Sequence, residues 1–305
     1  MNIKPANIFT LKQLLTVAEQ KQFAVGAFSP RYTSMISAVL RAGEATHSPI
    51  IVQVAQIELK WYQLTVKAFA NEFWRQFGEV SPTVPIGLHL DHSSDFSLIQ
   101  EAITEGFTSV MIDASALPLE ENIKETLKVV EYAHARKVSV EAELGRIGTA
   151  DFMETETDEE LYTDPKEAAA FVQRTGVDAL AVSIGTAHGV YTVRQPKIDI
   201  ARLKAIRTLT PVSLVLHGGS GTPLEMIRNA IHIPGGGVSK INVATDLELA
   251  LLEALGLKER VTDASLRRLP PEALDQGKQA VQKVVEDKIT HFLGSRDHAG
   301  DYQEE

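Results

Sequence analysis

Short runs of apolar, largely β-branched residues recur along the chain, with longer stretches of helical periodicity between them. The runs are Ala24–Phe28, Ile50–Ala55, Ile86–Asp91, Ser109–Asp113, Val138–Leu144, Ala179–Ile184, Val212–His217 and Lys240–Val243. They are nearly continuous in apolar residues instead of alternating, which is how parallel strands covered on both faces read. Between them Met35–Glu44, Leu119–Ala135, Pro165–Arg174, Leu224–Ile231 and Leu247–Leu255 carry helical spacing. Strands each followed by a helix predict an α/β fold, a single (β/α)8 TIM barrel. Leu11–Glu19 predicts an N-terminal helix across the barrel's bottom, and Pro271–Phe292 a C-terminal helical extension. The pattern therefore reads as one domain over residues 1–305, with 295–305 as a frayed tail. The longest polar gap, Gly148–Thr163, reads either as a lid or as a solvated acidic loop.

Composition narrows the chemistry. The chain has no cysteine, which excludes disulfides, thiolate catalysis and sulfur-ligated zinc, so any metal is held by His, Asp or Glu. Thirty Lys and Arg against 40 Asp and Glu give a net charge of −10, which argues against non-specific binding to nucleic acid or to an anionic membrane. An anionic small ligand stays open, because a pocket needs only local positive potential. No apolar run approaches the roughly 18 residues of a membrane span, and Met1–Thr10 lacks the apolar stretch of a signal peptide. These features predict a soluble cytoplasmic enzyme.

In barrels of this kind the chemistry sits where the strands end C-terminally. The third strand ends in His89-Leu90-Asp91-His92, the fourth in Asp113, and the fifth carries Glu141 and Glu143. His188 follows the sixth strand, His217-Gly218-Gly219-Ser220-Gly221 closes the seventh, and Asn242 and Thr245 close the eighth. A lone histidine at a strand end is usually a hydrogen-bonded structural residue. Three at one mouth, with Asp91, Asp113 and Glu143, read instead as a catalytic Zn2+ site with an open position. By the period of two, His89 shares the face of Asp91, and Glu141 that of Glu143 one pleat deeper. Burying both glutamates is costly without cations or donors. A metal answers this for Glu143; for Glu141 a structural hydrogen bond is an equal reading. The other histidines, His47, His134, His232, His291 and His298, carry no assigned role.

The glycine-rich turn at 217–221 leads into a helix near Thr222-Pro223. Glycines admit close approach of backbone to ligand, and the N–H groups of a helix start point at an anion. With Asn242 and Thr245 at the next junction, this predicts a phosphate site between the seventh and eighth units, a frequent arrangement in the fold. The plainer reading is a tight turn.

The same residues, in this order, resemble the class II, metal-dependent ketose-bisphosphate aldolases, the fructose- and tagatose-bisphosphate group. The resemblance spans roughly Phe23 to Leu249. It rests on VGAF near the start, HLDH at 89–92, SVMIDAS at 109–115, PLEENI at 118–123, VEAELGRIG at 140–148 and YTDPKEA at 162–168. Further on come TGVDALAVSIGTAHGVY at 175–191, LHGGSG at 216–221 and SKINVATDLELA at 239–250. The resemblance implies a zinc-dependent aldolase that reversibly cleaves a phosphorylated ketose to dihydroxyacetone phosphate and an aldehyde through a metal-stabilised enediolate. Position by position, His92, His188 and His217 match the catalytic zinc ligands, and Asp91 the residue that moves the C4 hydroxyl proton. Asp113 and Glu143 match carboxylates that occupy or support a second, more buried cation. Gly189, Gly218, Ser220, Asn242 and Thr245 match the cradle for the C1 phosphate, near which some members bind a monovalent cation. Co2+ or Mn2+ suits the same ligands as Zn2+. A homodimer or homotetramer is implied as well.

The departures from the family pattern lie away from the metal. Ser29-Pro30 stands where the family has Asn after the first-strand GAF. The mobile loop reads Gly148-Thr149-Ala150-Asp151-Phe152, so Asp151 takes the place of the usual glutamate acid, one methylene shorter. Thr192 replaces a lysine of the fructose-type enzymes, and Ala55-Gln56 replaces a run of small hydroxyl residues. Asp263-Ala264-Ser265 replaces an Asp-Pro-Arg segment that supplies an arginine to the distal phosphate, with Arg267 and Arg268 nearby. The dihydroxyacetone phosphate half is kept and the aldehyde half is changed, which predicts an acceptor other than glyceraldehyde 3-phosphate. Two other readings stay open: another metal-dependent barrel enzyme using the same histidines, or a catalytically weak paralogue acting as a binding or accessory subunit. Retention of Asp91 and the three histidines argues against the second.

Overall fold

The computed structural model describes residues 5–145, 148–149, 162–188 and 197–302, with 148–149 and 187–188 described as backbone only. Its strands are β1 (Val25–Phe28), β2 (Ile50–Ala55), β3 (Ile86–Ser93), β4 (Ser109–Ile112), β5 (Ser139–Leu144), β6 (Gly148–Thr149), β7 (Ala179–Val182), β8 (Ala187–His188), β9 (Ser213–Leu216) and β10 (Val238–Val243). Eight of them close a parallel barrel in the order β1-β2-β3-β4-β5-β7-β9-β10, while β6 and β8 pair with each other beyond the ends of β5 and β7. Helix α1 (Leu11–Lys21) precedes the barrel. Then α2 (Ile36–Ala45), α3 (Gln56–Tyr62), α4 (Val66–Val80), α5 (Phe96–Thr104), α6 (Leu119–His134), α7 (Pro165–Thr175), α8 (Ile200–Leu209), α9 (Leu224–Ile231) and α10 (Thr245–Ala254) alternate with the strands. Last come α11 (Asp263–Leu266) and α12 (Pro271–Asp287), which runs on into a π-helical turn at Lys288–Leu293. The eight-stranded barrel, the leading helix and the helical extension are those the hydrophobic pattern predicts.

Side-chain caps set where loops hand the chain to helices. Thr10 and Gln13 form a capping box on α1, and Asp95 accepts from the backbone N–H of Ser97 and Leu98 at α5. Asp164 does the same for Lys166 and Glu167, with Pro165 opening α7. Such caps contribute about 1 kcal/mol each.

The two faces of the barrel strands carry different cores. Outward residues such as Val52, Val54, Leu88, Leu90, Val110, Val140, Leu180 and Leu214 pack beneath the helices. Inside, Val25, Ala27, Ile51, Met111, Ala179, Ala181 and Val215 pack with Leu11, Leu14 and Leu15 of α1, which plugs the floor. Above that floor the buried interior turns polar, with Gln53, His89, Asp91, Glu141, Glu143, Lys240 and Asn242. Strand register sets Glu141 between Met111 and Ala179, and Glu143 beside Ala181. The alanines leave the room that long polar side chains fill, in the layered way of barrel interiors.

Residues 295–302, expected as a frayed tail, are packed instead. Asp297 N donates to Thr46 O at 3.0 Å, and Ala299 N to His47 O at 2.9 Å. His298 stacks on Phe23 with ring centroids 4.3 Å apart, and Tyr302 Oη donates to Leu14 O at 2.8 Å. The polar composition hides one aromatic anchor: Tyr302 joins the same floor as α1.

A buried charge cluster ties the end of β1 to α3, α10 and the segment before α11. Arg31 pairs with Glu58 at 2.9 Å and with Glu248, which also accepts from Tyr62 Oη and pairs with Arg260 at 2.9 Å. Burial works against the Arg31 guanidinium, but Glu58 and Glu248 outweigh it and raise its pKa. Removing one partner of a buried ion pair costs roughly 3–5 kcal/mol. Glu248→Ala is therefore expected to lower the thermal unfolding midpoint by roughly 5–10 °C. An unchanged midpoint in calorimetry contradicts this account of the cluster.

Candidate active site

Alternation along β3 turns His89 and Asp91 inward and, carried on, would turn His92 out. Two features bring His92 back. The pairing of β3 with β4 slips between Leu90 and Ser93, and His92 takes a left-handed backbone, φ 38°, a combination that re-aims side chains at a strand end. Gln56 holds the turn, its Oε1 accepting from Ser93 Oγ and from Ser94 N, both at 3.0 Å. Asp113 N donates to Ser93 O at 2.9 Å. Two consecutive residues, Asp91 and His92, thus face one mouth.

There the rings of His92 and His217 stand with centroids 4.4 Å apart. His92 Nδ1 is bonded to Asp113 Oδ2 at 2.9 Å, and Ser115 Oγ donates to Asp113 Oδ1 at 2.7 Å. His217 Nε2 is bonded to Glu141 Oε1 at 2.9 Å. Because a carboxylate accepts, these bonds put protons on His92 Nδ1 and His217 Nε2, and in the neutral rings the opposite nitrogens carry the lone pairs a metal would take. His217 Nδ1 lies 3.3 Å from Glu143 Oε2, a buried atom that makes no hydrogen bond among the described residues. Two ligands at about 2.1 Å from one tetrahedral ion stand about 3.4 Å apart, so this spacing suits a shared cation. Among the described residues, Asp91, His92 and His217 form one group able to hold a metal ion, and His92, Asp113 and Glu143 another. The N and O donor set fits Zn2+ and similar divalent ions.

Asp91 is held from two sides. Gln53 Nε2 donates to Oδ2 at 3.2 Å, and Asn242 Nδ2 reaches both oxygens at 3.2 and 3.1 Å. Burial pushes its pKa up, but the charges on His92 and Lys240 outweigh that and hold the carboxyl well below the usual range. Asp113 is also depressed, burial being outweighed by the hydrogen bond and charge of His92. Burial disfavours a charged His92, yet Asp91, Asp113 and Glu143 together raise its pKa to about 10. The site holds protons tightly where it would hold a metal, and the two compete.

The loops after β9 and β10 touch. Gly219 N donates to Asn242 O at 3.0 Å, and a Cβ on Gly219 would meet Ile241 Cγ2 at 2.6 Å and Asn242 O at 2.7 Å. Gly218 has φ 71°, open to glycine at little cost. Ser220 Oγ accepts from Ala244 N at 3.3 Å and Asp246 N at 3.2 Å, bridging to the start of α10, where Thr245 sits. Gly218, Ser220, Asn242 and Thr245 therefore share one neighbourhood, although the Asn242 amide is turned to Asp91.

The backbone of His188 pairs with Thr149 in the small β6–β8 sheet; its side chain, with Asp151, Gly189 and Thr192, lies outside the described residues. Of the positions that depart from the family pattern, Ser29 is tied up, its Oγ donating to Glu58. Beside the changed pair Ala264-Ser265, the retained Asp263 accepts from Thr33 N at 2.7 Å, and Arg267 pairs with Glu72 at 3.2 Å on the surface. Two interior residues escaped the sequence reading, Gln53 and Lys240. Both were signalled by the period of two, since Lys240 precedes Asn242 by two residues and Gln53 precedes Ala55, the register partner of Asp91.

The family model described as "Fructose-bisphosphate aldolase class-II" matches residues 9–298. The chain belongs to the class-II fructose-bisphosphate aldolase family. It is an aldolase, a carbon–carbon lyase. The fructose-bisphosphate aldolase of Geobacillus stearothermophilus is 39% identical over 289 residues, covering 95% of this aldolase and 98% of the relative. That of Giardia intestinalis is 36% identical over 315 residues, covering 96% and 95%. Among solved structures, the YdjI aldolase from Escherichia coli K12 superposes with a TM-score of 0.80 at 32% identity, covering 96% of this chain and 99% of that one. Among the described residues, no helix is long and apolar enough to cross a membrane.

The raised pKa of His92 makes the chelator-treated aldolase sensitive to pH. Its contribution to stability is complete below the unfolded value of about 6.5 and is lost as pH rises through about 10. The unfolding midpoint of the chelated protein is expected to fall over that window, and His92→Asn to flatten the slope. A midpoint that rises across it contradicts the electrostatic picture.

Proposed function

We propose that this aldolase cleaves a ketose 1-phosphate between C3 and C4, giving dihydroxyacetone phosphate and an aldehyde, with Zn2+ held by His92, His188 and His217. The observation that carries the reading is the meeting of His92, His217 and the buried Glu143 Oε2 beside an anchored Asp91. A Zn2+ held by these residues would supply Lewis acidity for the negative charge that develops on the substrate.

The protein's own side chains do the rest. Asp91 takes the C4 hydroxyl proton, and Gln53 and Asn242 fix the direction its carboxylate faces. Asp113 and Glu141 orient the two rings by holding the nitrogens opposite the metal. Glu143 and Asp113 offer a second, deeper cation position. Gly218, Ser220 and Thr245 cradle the C1 phosphate at the start of α10, orienting the half of the sugar that stays behind, and Gly189 joins them by the family pattern alone. Asp151 returns a proton to the product.

The acceptor aldehyde is not simply glyceraldehyde 3-phosphate. This is supported by Ser265 standing where the family pattern has an arginine for the distal phosphate, and by nearby Arg267 being used in a surface ion pair with Glu72.

Retro-aldol rates on fructose and tagatose bisphosphates, compared with shorter or distally unphosphorylated ketose 1-phosphates, test the reading. The 1-phosphates are expected to match or exceed the bisphosphates in kcat/KM; a clear preference for a bisphosphate refutes the altered acceptor. EDTA should abolish cleavage and Zn2+ or Co2+ restore it. Asp91→Asn should retain metal and lose about 10²–10⁴-fold in kcat. Cleavage that survives complete metal removal overturns the zinc reading.

A further inference from the structure

Deeper in the barrel lies a third group with the make-up of a metal site. His89, Asp91 and Glu141 are all buried and offer ligand atoms within 4.8 Å of one another. Two carboxylates and an imidazole in a closed interior call for a positive charge. A side chain of the protein provides it. The ammonium of Lys240, fully buried, lies 2.8 Å from Glu141 Oε2 and 3.8 Å from Asp91 Oδ1. Its strand neighbours in register, Val25 and Val215, are apolar and belong to the interior core. His89 is engaged elsewhere, its Nδ1 bonded to Ser109 Oγ at 2.8 Å.

Two chains of contacts lead from this ammonium to the mouth. Through one, Glu141 pairs with Lys240 by Oε2 and with His217 Nε2 by Oε1. Through the other, Asp91 lies between Lys240 below and the amides of Gln53 and Asn242 beside it. Resting on the aldolase reading above, we propose that Lys240 is a positioning residue. It fills the interior cation position, which confines a divalent ion to the two groups at the mouth. It also pins Glu141 and Asp91, so that one sets the angle of His217 and the other faces the C4 hydroxyl. Lys240 touches neither substrate nor metal and acts through these two carboxylates.

The test compares wild type, Lys240→Met, Glu141→Gln and the double variant Lys240→Met/Glu141→Gln. The double variant removes one charge of each sign, and the amide it introduces on β5 keeps an acceptor for His217, so it guards against a fold lost to an unpaired glutamate. Groups that orient metal-binding side chains are worth about 10–100-fold in activity. Lys240→Met is expected to lose at least tenfold in kcat with KM within about threefold. The double variant is expected to fall a further tenfold below Glu141→Gln alone, because Asp91 still lacks its anchor. In the Co2+-substituted proteins, the visible absorption bands of both Lys240 variants should shift from those of wild type. If the double variant turns over as fast as Glu141→Gln, Lys240 is only the counter-ion of Glu141 and the proposal is overturned. Bands identical to wild type in a folded Lys240 variant overturn it too. Should the wild-type protein cleave no ketose phosphate, the aldolase reading fails by itself, and the Co2+ spectra alone decide the role of Lys240.

Discussion

Acidic side chains gathered inside a closed barrel are the constraint to which the rest of this structure answers. Asp91, Asp113, Glu141 and Glu143 come from three neighbouring strands or strand ends, and closure of the sheet turns them toward one another. Water screens the buried Asp91, Glu141 and Glu143 little, because α1 and the apolar lower layer seal the floor, and charges in such surroundings interact strongly. Each carboxylate therefore needs a partner. Their partners among the described residues are His89, His92, His217 and Lys240. The polar interior of the barrel follows from that demand: amides at Gln53 and Asn242, and small residues at Ala179 and Ala181 that leave space for the longer chains.

The fold was legible because its signals are local. Unbroken apolar runs mark covered parallel strands, and Asp95, Asp164 and Thr10 mark helix starts within a few residues. The candidate site was legible as far as chain position allows, since residues at the ends of parallel strands must share a mouth. What lay beyond reach depends on relations between distant segments. The slip of β3 against β4 is a property of two strands together, and it decides which way His92 points. The Asn242 amide faces Asp91 because barrel closure brings those strands' interiors together. The period of two puts Lys240 on the face of Asn242, and the pairing of β10 with β1 and β9 is what encloses it. The same is true of the last turn, where Tyr302 finds a place beside Leu14 that its polar neighbours do not announce.

The upper rim shows the complementary case, in which a residue that looks like a change in the site proves to be part of the frame. Ser29 belongs to the cluster of Arg31, Glu58, Glu248 and Tyr62, and nearby Asp263 closes the turn at Thr33. These contacts tie the loop after β1 to α3, α10 and the C-terminal segment, so the rim beside β1, β2 and β10 is braced by charge pairs. A chain that has put its rim residues to this use has fewer left to grip the far end of a substrate.

The irregularity in β3 has a further meaning. A regular strand can lend only every second residue to a cavity, so adjacent positions in the chain normally serve opposite sides of the sheet. By slipping register once, β3 lends neighbours, and a carboxylate and an imidazole become rigidly coupled through a single peptide unit. Their relative geometry is then set by covalent bonds and survives any sliding of one strand past another. Chemistry that needs a base at a constant offset from a metal ligand gains from this a ruler one residue long.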